Sequence, residues 1–210
     1  MPPAAQWCFP DIPTKGHTVD LTKPTAIVRA TELIEEADAL DPAIDKTREV
    51  VGTVLPPGAV RDVLNGAPLG HPAHPIAILV PVGAWISAAV LDFIPGQQKP
   101  ARTLVGVGLL AVAPAAAAGI ADWSILTRKQ QRVGIVHWAA NLTGVALYSA
   151  SYLQRRRGKF VSGKVLGLLG LGVVSASGYL GGHLAYRQGA NVRLDVPSQG
   201  LFVGEPDSAA

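Results

Sequence analysis

The amino-acid sequence predicts an all-α integral membrane protein, with an up-down-up-down bundle of four transmembrane helices behind a short amphipathic helical section. Three observations support this fold class. Of the 210 residues, 49% are hydrophobic and only 16% are charged, whereas about 25% charged residues is usual for a soluble domain. Gly and Ala are abundant and aromatic residues are few, as in closely packed membrane helices. Four long apolar segments separated by short polar connections follow residue 75.

The chain divides into four parts by composition. They are a disordered tail at residues 1–23, an amphipathic helical section at 24–69, a four-helix transmembrane domain at 70–188 and a polar C-terminal tail at 189–210. In the second part, apolar residues recur at helical spacing between acidic residues, and Asp41-Pro42 has the pattern of a helix start. We expect these short helices to lie on the membrane surface or to pack over one end of the bundle. A face that binds a partner protein is the alternative.

Each apolar segment is long enough to cross a hydrocarbon core of about 30 Å as a helix. The segments are Ile76–Ile94, Thr103–Leu126, Val133–Leu153 and Val165–Tyr186. Because the connections between them are short, neighbouring helices are predicted to be antiparallel. Basic residues are divided almost equally between the two ends of the bundle, so the positive-inside rule does not decide the orientation. We expect cytoplasmic termini, since about seventy residues precede the first segment without a secretion signal.

Composition also excludes several functional classes. One cysteine, Cys8, excludes an internal disulfide and any cysteine-based zinc or iron–sulfur site within one chain. No basic run is interleaved with aromatic residues, so nucleic acid is not an expected partner. Gly106 and Gly108 form no phosphate loop, and no serine lies in a nucleophile-elbow pattern. The informative residues are therefore the polar ones beside and within the apolar segments.

These polar side chains are predicted to meet at one level of the membrane. They are His71, His74, Asp122, His137, Asn141 and His183. They belong to the start of the first segment, the end of the second, the start of the third and the end of the fourth, which share one side of an up-down-up-down bundle. Polar residues at such depth are costly and indicate a functional site by default. The sequence therefore predicts a His/Asp cluster at this side.

Three kinds of site fit the cluster. The first is haem b with His137 and His183 as axial ligands, where Gly178 and Gly182 leave room for the ring and Arg187 or Arg132 meets the propionates. The second is a non-haem metal ion. Its candidate ligands are His71, His74, Asp122, His137 and His183. The third is a proton or quinone site formed by the same groups.

The alternative is a structural role, because polar residues near helix ends also bond across helices. In that interpretation Asp122-Trp123 is an interfacial anchor, and the protein is a non-catalytic scaffold whose amphipathic section binds a partner. An intramembrane metal hydrolase is a third hypothesis, although no obvious general base stands beside Asp122. Asp92, on the side opposite the cluster, is interpreted as a cap or loop contact. The sequence does not decide whether the protein is an enzyme.

Several elements spread along the chain form a recognisable pattern. They are Leu64-Asn65-Gly66, Leu69-Gly70-His71-Pro72-Ala73-His74-Pro75, Pro81-Val82-Gly83-Ala84-Trp85, Leu91-Asp92, Gly119-Ile120-Ala121-Asp122-Trp123, His137 with Asn141, and Gly181-Gly182-His183-Leu184-Ala185-Tyr186 with Gly189 and Val192. With these elements the chain resembles the domain of unknown function 2231 family, bacterial four-span membrane proteins, over about residues 32 to 195. The His-Pro-x-His-Pro element is the most specific part.

This resemblance implies a multi-pass protein of the bacterial inner (cell) membrane. Some relatives of this type carry an appended Rieske-type iron–sulfur domain, which implies redox work. This chain has no Cys/His cluster-binding motif, so such a partner would be a separate iron–sulfur protein. The expected partners are therefore the lipid bilayer, a redox protein and a second copy of the chain in a homo-oligomer.

Overall fold

The computed structural model describes residues 25–191, and every regular element within them is helical, which confirms the all-α prediction. The helices are α1 (Ala26–Glu35), α2 (Asp41–Val54), α3 (Ala59–Leu64), α4 (His74–Ala77), α5 (Leu79–Leu91), α6 (Gln98–Trp123), α7 (Arg128–Arg156) and α8 (Phe160–Gly182). Single 3-10 turns at Asp38–Leu40 and Ala67–Leu69 join the short helices, and a π-helical turn, His183–Arg187, follows α8. The predicted N-terminal tail and most of the predicted C-terminal tail lie outside the described residues.

Three helical stretches are long and apolar enough to cross a membrane. They are His74–Leu91, Gln98–Trp123 and Phe160–Arg187. Large apolar side chains point away from the protein along them, with Leu110 81% exposed and Val161 79% exposed. An apolar surface this extensive is unfavourable in water and suits contact with lipid. The fourth predicted span, Val133–Leu153, lies in α7, which is not among these three stretches.

The first of these stretches is broken near its start. Helix α4 ends at Ala77 and α5 begins at Leu79, within the segment that the sequence predicted as the first span. Pro81 accounts for the break, because it has no amide hydrogen to donate to the carbonyl of Ala77 and its ring crowds that carbonyl. His74 lies in the short helix α4, before this interruption.

Consecutive long helices pack as antiparallel neighbours. Trp85, near the middle of α5, contacts Val105 in the first half of α6. His74, at the start of the stretch, contacts Ala115 in the second half of α6. Contacts between α7 and α8 show the same reversal of direction, since the start of α7 meets the end of α8.

An aromatic stack joins three of the long helices. The rings of Trp85 and Tyr148 lie 3.9 Å apart with an angle of 11° between their planes. The indole N–H of Trp85 donates to the carbonyl oxygen of Val105 at 3.3 Å. Gly108 lies directly against the indole, where a Cβ would overlap the ring. Helices α5, α6 and α7 thus meet around one buried tryptophan.

The amphipathic section packs over one end of the bundle, which is one of the two placements predicted from its sequence. Ile44 of α2 is fully buried, and Val51 lies in the same apolar cluster. Trp123, at the end of α6, completes this cluster, and its indole N–H donates to the carbonyl oxygen of Gln131 at 3.1 Å. The short helices therefore have a second apolar core of their own against α6 and α7.

Ion pairs fasten the same section to α7. Arg132 donates two hydrogen bonds to the carboxylate of Asp41, at 2.8 and 2.9 Å, and a third to the carbonyl oxygen of Glu35 at 2.9 Å. Lys129 pairs with Glu36 at 2.5 Å. The hydrogen bond from Arg132 lowers the pKa of Asp41, and the hydrogen bond from Lys129 lowers the pKa of Glu36.

We expect the amphipathic section to loosen in acid. A carboxyl group whose pKa is lower in the folded state stabilises the fold above its unfolded pKa, and this contribution disappears as the pH falls through the folded pKa. Below about pH 4, the ordinary range for Asp and Glu, amide hydrogen exchange in α1 and α2 should become faster after correction for the intrinsic rate. Amides of α5 around Trp85 serve as the internal control. Equal protection of α1 and α2 at about pH 6 and pH 3 would contradict this expectation.

Candidate functional site

His74 is held against α6 by its own ring. Its Nδ1 lies 2.9 Å from the carbonyl oxygen of Ala115, and because a carbonyl can only accept, Nδ1 carries the hydrogen and donates. In the neutral ring the lone pair is then on Nε2. Gly119 permits this approach, since a Cβ there would lie only 2.9 Å from Nδ1 of His74.

His137 is held against α8 in the same manner. Its Nδ1 donates to the carbonyl oxygen of Ser177 at 2.8 Å, and the hydroxyl of Ser177 donates to the carbonyl oxygen of His137 at 3.0 Å. The amide nitrogen of Asn141, one turn further along α7, lies 3.0 Å from Nε2. Gly181 gives the ring its space, because a Cβ there would lie 3.2 Å from Cε1.

The two rings lie next to each other. Their centroids are 6.4 Å apart and their planes are at 88°. We call His74 and His137 the histidine pair. Both side chains are only partly buried, as is Asn141, so the site is reachable from outside the bundle. Both donate Nδ1–H to a backbone carbonyl, which is the arrangement that orients most metal-binding histidines in proteins.

His183 lies in a different hydrogen-bond network. Its Nε2 is 2.7 Å from a carboxylate oxygen of Glu35, and its Nδ1 is 3.4 Å from the hydroxyl of Thr31, so both partners belong to α1. The side chain of His183 is almost fully buried between these groups. Because both ring nitrogens have partners, His183 joins the amphipathic section to the end of α8 and has no free nitrogen to offer a ligand.

The other two predicted metal ligands also lie apart from the histidine pair. Asp122 is 9% exposed and makes no side-chain hydrogen bond or ion pair with any residue that the structure describes. It is on the face of α6 that carries Ala115 and Gly119. His71 is exposed, and its Nδ1 lies 3.3 Å from the carbonyl oxygen of Pro72. Within residues 25–191, no group of three or more His, Cys, Asp or Glu side chains is placed to hold a metal ion.

The remaining residues of the predicted haem site have two kinds of surroundings. A Cβ on Gly178 would meet no other atom of residues 25–191 within 4 Å, and one on Gly182 would meet only Tyr186, at 3.9 Å. Both glycines thus face open space. Arg187 pairs with Glu32 at 3.1 Å, and Arg132 is bound to Asp41, so both predicted propionate partners contact the amphipathic section. The haem site stays a prediction.

A buried ion pair at the opposite end of the bundle was missed by the sequence interpretation of Asp92 as a cap or loop contact. Arg155 donates to both carboxylate oxygens of Asp92 at 2.6 Å and is 1% exposed. Its Nε donates to the hydroxyl of Ser151 at 3.1 Å. One signal was available, since the first and third helices of an up-down bundle end on the same side, which brings these two charges to one level.

The helical architecture, the apolar outer surface and the partly buried polar pair define a multi-pass integral membrane protein. Residues 70–193 match a family described as predicted membrane protein, DUF2231. The match covers more than half of the chain, including all three candidate spans, and the chain belongs to this family, as the resemblance predicted. The match begins at Gly70, whereas the resemblance was expected from about residue 32. No curated protein and no solved structure matches it.

Proposed function

We propose that this protein crosses the bacterial inner membrane four times and holds a transition metal, as haem iron or as a bare ion, between His74 and His137 for electron transfer. The observation that carries the proposal is the histidine pair itself. Two imidazoles from different helices lie side by side, with each Nδ1–H bonded to a backbone carbonyl. Among the described residues, the Nε2 lone pair of His74 is then free and that of His137 accepts from Asn141, and imidazole is a suitable ligand for iron, copper and zinc.

The two rings are close enough for one metal ion to contact both, since their centroids are 6.4 Å apart. His74 and His137 would hold such an ion through their imidazole nitrogens. The amide of Asn141 now contacts Nε2 of His137, and binding would replace this contact.

The surroundings support His74, rather than His183, as the second ligand. Both ring nitrogens of His183 are engaged by α1, whereas no described residue bonds to Nε2 of His74. Bound iron or copper would supply one-electron transfer. The chain would orient the imidazoles through the carbonyls of Ala115 and Ser177.

The fourth span is part of the same proposal. Helix α7 has 29 residues, about 43 Å, and residues 133–153 include no Asp, Glu, Lys or Arg. Its basic residues gather at the two ends, where Arg132 pairs with Asp41 and Arg155 with Asp92. With four spans, both termini lie on one side, which we assign to the cytoplasm. A separate iron–sulfur protein is then the proposed electron partner, and a homo-oligomer remains a proposal.

A structural role is the second candidate, because the polar atoms at this site also bond between helices. The contacts of His74 with α6 and of His137 with α8 tie neighbouring helices together, which is what a scaffold requires. Under this alternative, His137→Ala would only weaken the bundle, since hydrogen bonds between membrane helices average about 0.6 kcal/mol.

An optical spectrum and elemental analysis of the detergent-purified protein test the proposal. We expect a Soret band, or a stoichiometric transition metal without one, and these two results distinguish haem from a bare ion. His74→Ala and His137→Ala should each lower the bound amount about tenfold or more, since even changes to the groups that orient a metal ligand cost 10–100-fold. His71→Ala, at an exposed histidine, is the matched control.

His183→Ala distinguishes ligation by His74 and His137 from ligation by His137 and His183. It should keep the metal if His74 and His137 are the ligands, and lose it if His137 and His183 are the pair. A folded wild-type protein without a Soret band and without stoichiometric metal would contradict the proposal and favour the scaffold.

A further inference from the structure

A second candidate site lies at the end of the bundle covered by the amphipathic section. A cavity of about 220 Å³ opens between α2, the turn that follows it, α3 and the end of α6. Its lining residues are Arg48, Val51, Gly52, Pro57, Arg61 and Ser124. Since a water molecule occupies about 30 Å³ in the liquid, this volume accommodates an organic group rather than a single water.

The polar part of the lining is cationic. Arg48 and Arg61 contribute two guanidinium groups, and no carboxylate is among the described lining residues. Arg61 donates from Nη2 to the carbonyl oxygen of Leu55, while its Nε is buried and has no hydrogen-bond partner among residues 25–191. Arg48 makes one long contact, 3.4 Å, to the side-chain oxygen of Gln131. Both groups therefore have N–H donors to spare.

Two guanidinium groups with spare donors match the geometry of a phosphate. Arginine binds phosphate oxygens through parallel N–H donors. The cavity thus has the charge, the donors and the volume for a phosphate group and part of what carries it.

The depth of the cavity indicates what carries the phosphate. Ser124 follows directly on the candidate span Gln98–Trp123, whose 26 residues are about 39 Å long and exceed a hydrocarbon core of about 30 Å. The cavity therefore lies at headgroup level. On the same two short helices, Val54 is 77% exposed and Val60 is 69% exposed, which supplies apolar surface for acyl chains.

We propose that Arg48 and Arg61 bind the phosphate group of an anionic phospholipid in this cavity. The bound lipid would join α2 and α3 to the end of α6 and accept from free N–H donors of Arg48 and Arg61. The proposal is independent of the histidine pair and of any metal bound there.

Native mass spectrometry of the full chain in detergent tests the proposal by titration with phosphatidylglycerol. The wild-type protein should retain this lipid, whereas diacylglycerol with the same acyl chains, which lacks the phosphate, should bind about tenfold or more weakly. Arg48→Gln and Arg61→Gln should each weaken phosphatidylglycerol binding about tenfold, as expected for loss of a charged hydrogen bond. Lys46→Gln, which removes the same charge from an exposed site on α2, should bind like the wild type.

Two results would overturn the proposal. Equal lipid binding by wild type, Arg48→Gln and Arg61→Gln would show that the lipid sits elsewhere. Full displacement of the lipid by an equimolar amount of inorganic phosphate would show that a free anion, rather than a phospholipid, is the ligand. Arg61→Lys keeps the charge and distinguishes loss of phosphate binding from loss of the fold, since it should retain part of the affinity.

Discussion

Asp92→Ala is expected to lower the free energy of unfolding by about 3–5 kcal/mol, the usual result of leaving one charge of a buried pair uncompensated. Arg155 is 1% exposed and gives both of its terminal nitrogens to Asp92. Without this carboxylate the guanidinium remains at the end of α7 with only Ser151 as a side-chain partner. Unfolding by denaturant titration of the detergent-solubilised protein measures the change.

Two further variants isolate the charge effect. Arg156→Ala removes a neighbouring but exposed arginine and should change stability by no more than about 0.5 kcal/mol, as is usual for surface substitutions. The double variant Asp92→Leu with Arg155→Met removes both charges, and it should recover most of the lost stability because well-packed apolar replacements of buried pairs are often neutral. An Asp92→Ala variant as stable as the wild type would contradict the importance of the pair.

Gly66→Ala is expected to have the second largest effect, a loss of about 2–5 kcal/mol, together with displacement of the segment that carries His74. Gly66 has φ +81°, where an alanine is strained, and a Cβ there would overlap the carbonyl oxygen of His71 and lie 2.8 Å from the amide nitrogen of Ala73. Both obstacles are backbone atoms, so the loop itself must move. Unfolding titration and the bound-metal assay would record the two consequences.

Gly70→Ala is the matched control for this effect. Gly70 also has a positive φ, +72°, but a Cβ there meets nothing within 4 Å among the described residues. This variant should therefore show only the backbone cost, about 1–2 kcal/mol. If Gly66→Ala were no more harmful than Gly70→Ala, the close approach of the 66–73 loop to itself would not matter for stability.

Part of the candidate site was predictable from the sequence. The counting of helix ends placed His74 and His137 on one side of the bundle, and the structure brings their rings together with Asn141. The same counting could not separate His183 from them, because its partners, Glu35 and Thr31, come from the amphipathic section rather than from the bundle. Ser177 orients His137 through its backbone carbonyl, a contact that any residue type could make.

The sequence by itself determined that the chain is helical and belongs in a membrane, because hydropathy and segment length are sums over neighbouring residues and need no knowledge of the fold. The tertiary structure decided which polar groups meet. Each helical residue turns the side-chain direction by about 100°, so the partner of a ring depends on how each helix is rotated and on the break that Pro81 places after α4. Packing sets the rotation of each helix, as where Gly119 contacts His74 and Gly181 contacts His137. This rotation is therefore defined only in the assembled bundle.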